Sequence, residues 1–147
     1  RTMKKFIFAL VSLMMSISAS AFDFDGIDLN GNAVEITRQI GMKGYVYDDT
    51  RDCLRGECKG NEIYLSINYN DVTEKNKIGQ LIVDIPLNNM ASAFETAVKI
   101  FNVVYHQTEK VGDSVKYTVS EDGTQLVVSP AKDYIRLTYN TPFYNKK

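Results

Sequence analysis

Glu62-Ile63-Tyr64-Leu65-Ser66-Ile67-Asn68-Tyr69 alternates without a break, and this stretch decides the fold class. A strand sends successive side chains to opposite faces. Ile63, Leu65, Ile67 and Tyr69 therefore point one way, and Glu62, Tyr64, Ser66 and Asn68 the other. Residues 78–85 repeat the pattern with Leu81, Val83 and Ile85 on one face, and Pro86 ends the strand. Only the polar stretch 70–77 separates the two strands. Strands joined by so short a connection pair antiparallel, because parallel pairing needs a long crossover.

Upstream of this hairpin, residues 22–32 read as an extended opening segment. Asn32 with Glu35 resembles a capping box, and Ala33, Ile36 and Ile40 follow at helical spacing until Gly41 and Gly44 stop the helix. Residues 45–48 form a short strand. Downstream, a second helix is capped at Asn89 or Ser92, with Glu95 completing the box. Its apolar stripe is Met90, Phe94, Ala97, Val98, Phe101, Val104 and Tyr105. Strands at 114–120, 125–129 and 134–140 follow, with turns at 121–123 and 130–133. The expected fold is α+β: two αβββ units, about 22–86 and 87–147, forming one antiparallel sheet with both helices on one face.

The N-terminus predicts export. Lys4 and Lys5 are followed by an apolar run at 6–15 and a small-residue tail ending in Ala19-Ser20-Ala21. That is the order of a cleavable signal peptide, residues 1–21 with Arg1 and Thr2 preceding Met3. The apolar run is about ten residues, half of what spans a bilayer. Cleavage after Ala21 leaves 126 residues, 22–147, enough for a single domain with its own core. Three of the 17 Lys and Arg lie in the leader, so 14 remain against 18 Asp and Glu, a formal charge near −4. Such a chain lacks the basic patch that nucleic acid or an anionic membrane requires. The expected location is periplasmic or secreted, in a bacterium, with no membrane attachment after cleavage.

Both cysteines, Cys53 and Cys58, fall in the exported part, and an even count in an oxidising compartment predicts a Cys53–Cys58 disulfide closing a tight loop through Gly56. No catalytic or cofactor motif is complete. Asp28, Asn30 and Asn32 occupy alternate positions of an EF-hand-like loop. Ala33 then stands where Gly is needed, and Gln39 where a bidentate Glu should be, so no metal is expected there. His106, the one histidine, reads as a residue at the end of the second helix. No nucleophile elbow accompanies it. Glu57, Glu62, Asp84, Glu95 and Asp133 could meet in space, but their spacing pairs no two of them, and glycosidase chemistry needs two carboxyls at a defined separation.

The helix-free face of the sheet is the positive feature. With Ile63, Leu65, Ile67, Leu81, Val83, Val115, Tyr117, Val119, Ile135 and Leu137 turned to the helices, alternation sends Tyr64, Ser66, Ile82, Lys116, Val127, Tyr134 and Arg136 to the other side. Asn68, Gln80, Asp84, Thr118 and Thr138 join them. Tyr and Arg among scattered aliphatics is the composition of a recognition surface. An ordinary solvated sheet face accounts for the same residues through β-propensity.

The segment Phe24-Asp25-Gly26-Ile27-Asp28-Leu29-Asn30-Gly31, then Lys43-Gly44-Tyr45, then Leu54, Gly56, Cys58 and Gly60, then Ile85-Pro86 before a second helix, resembles a pattern of small exported Bacteroidetes proteins of unknown function. These resemble the β-lactamase inhibitory protein in architecture, with tandem helix-plus-sheet units presenting a sheet face. Cys58 stands where that pattern has an aromatic. The resemblance implies a periplasmic or secreted protein and carries over no inhibitory residue. The expected function is a non-enzymatic binding module, without cofactor, that recognises a protein or peptide of the cell envelope. A carboxylate-dependent envelope glycan hydrolase or lyase, and a structural or inhibitory subunit, are the alternatives.

Overall fold

A computed structural model describes residues 23–58, 60–70, 76–86 and 90–144. The expected signal peptide and Asn89 lie outside the described residues. The protein is α+β with antiparallel strands. In chain order these are β1 (Asp23–Phe24), β2 (Ile27–Asp28), α1 (Ala33–Met42), β3 (Val46–Asp48), β4 (Cys53–Cys58), β5 (Asn61–Tyr69) and β6 (Ile78–Pro86). Then come α2 (Met90–Val104), β7 (His106–Val111), β8 (Ser114–Thr118), β9 (Gln125–Pro130) and β10 (Tyr134–Asn140). No helix among the described residues is long and apolar enough to cross a membrane.

Eight strands form one sheet in the order β3-β4-β5-β6-β10-β9-β8-β7, each pair of neighbours antiparallel. Each helix is thus followed by a four-strand meander, one strand more than expected, and the meanders join through their last strands. The opening segment is not simply extended. Asp25 and Gly26, at φ of 50° and 82°, make a tight turn that folds β1 onto β2 as a separate two-stranded sheet. It supplies Phe24, Ile27 and Leu29 to the core.

The alternation expected from the sequence sets the inner face. Leu81, Val83 and Ile85 of β6 lie opposite Tyr139, Leu137 and Ile135 of β10. Leu126 and Val128 of β9 and Val115 and Tyr117 of β8 continue the layer. All of these side chains are buried in one core, together with Ala33, Ile36 and Ile40 of α1 and Ala93, Ala97 and Phe101 of α2. Asn32 caps α1 as expected, its side chain accepting from the Val34 and Glu35 amides. Glu35 does not reach back to complete the box; it pairs with Arg38 one turn on. In the core, Phe101 meets the Tyr117 ring edge-on at 5.9 Å. The Tyr117 hydroxyl donates to Asn102 at 2.8 Å, and burial pushes this phenol up to about 12.

Four expectations are overturned. Cys53 and Cys58 are not disulfide-bonded and stand as thiols at the two ends of β4. Five strand rises separate their Cα atoms by about 17 Å, whereas a disulfide needs about 4.4–6.8 Å. Their odd spacing also sends them to opposite faces, so the expected loop is instead an additional strand. His106 does not close the second helix: its backbone opens β7, opposite Thr118 of β8. Val104 is 43% exposed and leaves the helical stripe, where Ala93 takes a buried place. Ser92 sits inside α2, whose first residue is Met90, and is not its cap.

Gly56 is the one position of β4 where absence of a side chain is required. A Cβ there would lie 2.2 Å from the Tyr45 ring, which occupies the space a side chain would need. Gly56→Ala therefore has to push Tyr45 out of the core beside Cys58. The expected cost is about 1–3 kcal/mol by urea unfolding, and an unchanged midpoint would mean that Tyr45 moves freely. The unbridged thiols give a second test. Thiol titration of the native protein should modify Cys53, which is half-buried, well before the buried Cys58. Unfolding without reductant should then release both; a protein with no titratable thiol would restore the disulfide.

Candidate functional site

The outer face of the sheet, opposite the core, is organised by register into transverse rows. In the first, Arg55, Tyr64, Asp84, Arg136 and Ser129 stand side by side from β4 to β9. In the second, Ser66, Ile82, Thr138, Val127, Lys116 and Glu109 run from β5 to β7. The third holds Asn68, Gln80, Asn140, Gln125 and Thr118. Antiparallel pairing places these groups at the close spacing at which cross-strand side chains interact.

Each row makes its own bonds. Arg136 grips Asp84 with two parallel hydrogen bonds, Nε to Oδ1 at 2.8 Å and a second guanidinium nitrogen to Oδ2 at 3.0 Å. That fork also reaches the Tyr134 hydroxyl at 3.2 Å and lies 5.4 Å from the Tyr134 ring centre. The Asp84 contact is the first cause holding Arg136 firmly charged. In the amide row, Asn68 donates to Gln80 at 2.7 Å, and Gln80 donates to Asn140 at 2.9 Å. Lys116 lies 3.7 Å from Glu109 in the middle row.

Two of the shallow depressions among the described residues open on this face. One, of ≈460 Å³, is lined by Arg51, Cys53, Tyr64, Ser66, Asp84, Pro86, Asp133, Tyr134 and Arg136. The other, of ≈390 Å³, is lined by Glu109, Val111, Ser114, Lys116 and Val127. Of the residues that sequence reasoning put on this face, Tyr64, Ser66, Tyr134 and Arg136 meet in the first depression, and Lys116 and Val127 in the second. Ile82 lies between them, opposite Ser66 and Thr138.

Tyr64 is not the open aromatic that alternation implies, for it is only 8% exposed. The guanidinium of Arg51 covers it, 4.3 Å from the ring centre, while the Tyr64 hydroxyl donates to Glu62 at 2.8 Å. Burial first, and that hydrogen bond second, push the Tyr64 phenol up; Arg51 opposes them. Sequence reasoning missed Arg51 because it lies between the expected strand at 45–48 and the expected Cys53–Cys58 loop, a stretch without periodicity. The available signal was Asp48, whose side chain accepts from the Thr50 and Arg51 amides at 3.0 and 3.2 Å and shapes the β3–β4 turn. Cys53 was read as a staple; it lines the first depression. Its thiol is pushed up by burial and then by Asp48, so it is a poor nucleophile at neutral pH.

Among the five carboxylates weighed from the sequence, only Asp84 and Asp133 line one depression, and Arg136 occupies both oxygens of Asp84. Of the residues in the calcium-like loop, Asp28 accepts from the Asn30 amide at 2.9 Å and Asn32 caps α1. Asp23 faces Asp28 across the β1–β2 ladder, and burial first and this neighbour second push its carboxyl up. Among the described residues, no three His, Cys, Asp or Glu side chains gather where a metal ion could be held.

The chain matches no protein-family model, no curated protein and no solved structure. A double-mutant cycle tests the half-exposed ion pair at the centre of the face. Asp84→Asn and Arg136→Gln should couple by roughly 1 kcal/mol, the upper range for a bidentate pair in contact with solvent. Additive losses would show that the pair contributes nothing to stability.

Proposed function

We propose that the protein is a non-enzymatic, exported binding module that holds a protein or peptide of the bacterial envelope on the helix-free face of its sheet. In this reading the helix-plus-meander halves, about 22–86 and 87–147, are two units of one architecture whose joined sheet presents a broad, rigid surface. The observation that carries the reading is the grouping of Tyr134, Arg136 and Ser66 in one depression, and of Lys116 and Val127 in the other, on one face of one sheet. Tyr and Arg dominate the energetics of protein interfaces when they are held by a surrounding frame. Here Asp84 and the sheet register provide that frame, so little side-chain entropy remains to be lost on binding. The signal-like N-terminus supports export, and the sequence resemblance described above supports a sheet face as the working surface.

The test is capture of envelope proteins on the immobilised protein, with a Tyr134→Ala/Lys116→Ala variant as control. A partner held by the parent and reduced at least tenfold by the variant, at unchanged melting temperature, is the expected result. Equal recovery by both would remove this face from consideration.

A further inference from the structure

Taking the outer face as the docking surface, we infer that the Arg51 end of the larger depression receives an acidic side chain, Asp or Glu, of the protein partner. Arg136 and Asp84 cancel each other through their two-pronged contact. Arg51 is different: among the described residues, its guanidinium has a ring contact with Tyr64 and no ion pair or side-chain hydrogen bond. Stacking on a ring face leaves the N–H donors of the fork, which lie in the guanidinium plane, directed outward. Tyr64 beneath it is held by its hydroxyl on Glu62, so the platform does not swing away. Asp48 fixes the turn that carries Arg51, with Asp52 at a φ of 53° completing the reversal. The cation is therefore placed before any ligand arrives, which lowers the ordering cost of binding.

A planar fork with open donors matches a carboxylate in two-pronged geometry. A chain terminus would call for a nest of free backbone amides. Those of β5, β6 and β10 are spent in sheet ladders on both sides. The carboxylate therefore arrives on a side chain, with Ser66, Pro86 and Tyr134 left to contact its neighbours.

Among the described residues, the nearby anions form no ion pair with Arg51 and are engaged elsewhere. Asp52 accepts from the Tyr47 hydroxyl at 2.6 Å, and Asp48 holds two amides and lies 4.0 Å from Arg55. Asp133 belongs to the far turn. The two strand spacings from β5 to β10 alone put about 10 Å between it and Tyr64, about one Debye length in physiological salt.

The experiment pans a phage-displayed random peptide library against the full-length protein. Enriched peptides are then measured by titration on the parent, on Arg51→Gln and on Ser66→Trp, which fills the depression. The expected outcome is a shared Asp or Glu whose exchange for the amide weakens binding about tenfold on the parent and less than twofold on Arg51→Gln. Binding should also be lost on Ser66→Trp. Arg51 is exposed, and unchanged melting of Arg51→Gln will show that the fold is intact. Peptides that depend on Ser66 but show no acidic preference, or a basic one, would overturn the inference while leaving the face reading standing. Peptides bound equally by Ser66→Trp, or no enrichment at all, would overturn both.

Discussion

The pairing of β6 with β10 is the constraint on which the rest depends. It is the one contact between the two meanders within the sheet, and it joins segments about fifty residues apart in the chain. On the inner side it stacks Leu81, Val83 and Ile85 against Tyr139, Leu137 and Ile135, all fully or almost fully buried. Apolar area removed from water there provides the main drive, at roughly 25 cal/mol per Å². On the outer side the same register sets Asp84 beside Arg136 and aligns the amides of Gln80 and Asn140. A slip by one residue would turn Leu81, Val83 and Ile85 outward and bring polar side chains into the core, so register is specified by hydrophobicity and read out as polar chemistry.

That coupling explains why the outer face has rows. Once the inner side chains choose the register, the groups on the other face have no freedom to choose partners. Arg55, Tyr64, Asp84 and Arg136 are neighbours because Leu54, Leu65, Val83 and Leu137 pack in the adjacent layer. The polar bonds then hold side chains in place more than they hold the sheet together, since exposed pairs contribute only a few tenths to about 1 kcal/mol. A face whose side chains are already ordered is suited to binding, because little remains to be immobilised.

Much of this was legible in the sequence where a simple period applied. Alternation in residues 62–69 and 78–85 located both central strands and their inward residues. Asn32 with Ala33, Ile36 and Ile40 located α1 to within a residue. Legibility failed where a strand lacked the period. Cys53 to Cys58 contains Arg55, Gly56 and Glu57, and its cysteines suggested a closed loop. Only the approach of Tyr45 to Gly56, from eleven residues away, shows why a glycine belongs in that strand. Residues 106–110 are polar and only Val111 is apolar, as an edge strand permits, so the segment carried no alternating strand signal of its own. Arg51 was hidden for a third reason: it lies in a turn without periodicity, and its role depends on a ring in the neighbouring strand β5.

By itself the sequence determined the α+β class, the antiparallel pairing of neighbouring strands and which side chains face inward. Those follow from local periodicity and from the reach of short turns. Tertiary structure alone decided that β6 meets β10, that each half has four strands, and that the two thiols stay apart. It also decided that Arg51 covers Tyr64 and stands with an open guanidinium beside the Asp84–Arg136 pair. These outcomes rest on contacts between segments far apart in the chain, where burial of a shared core selects one pairing among several that local preference would equally allow.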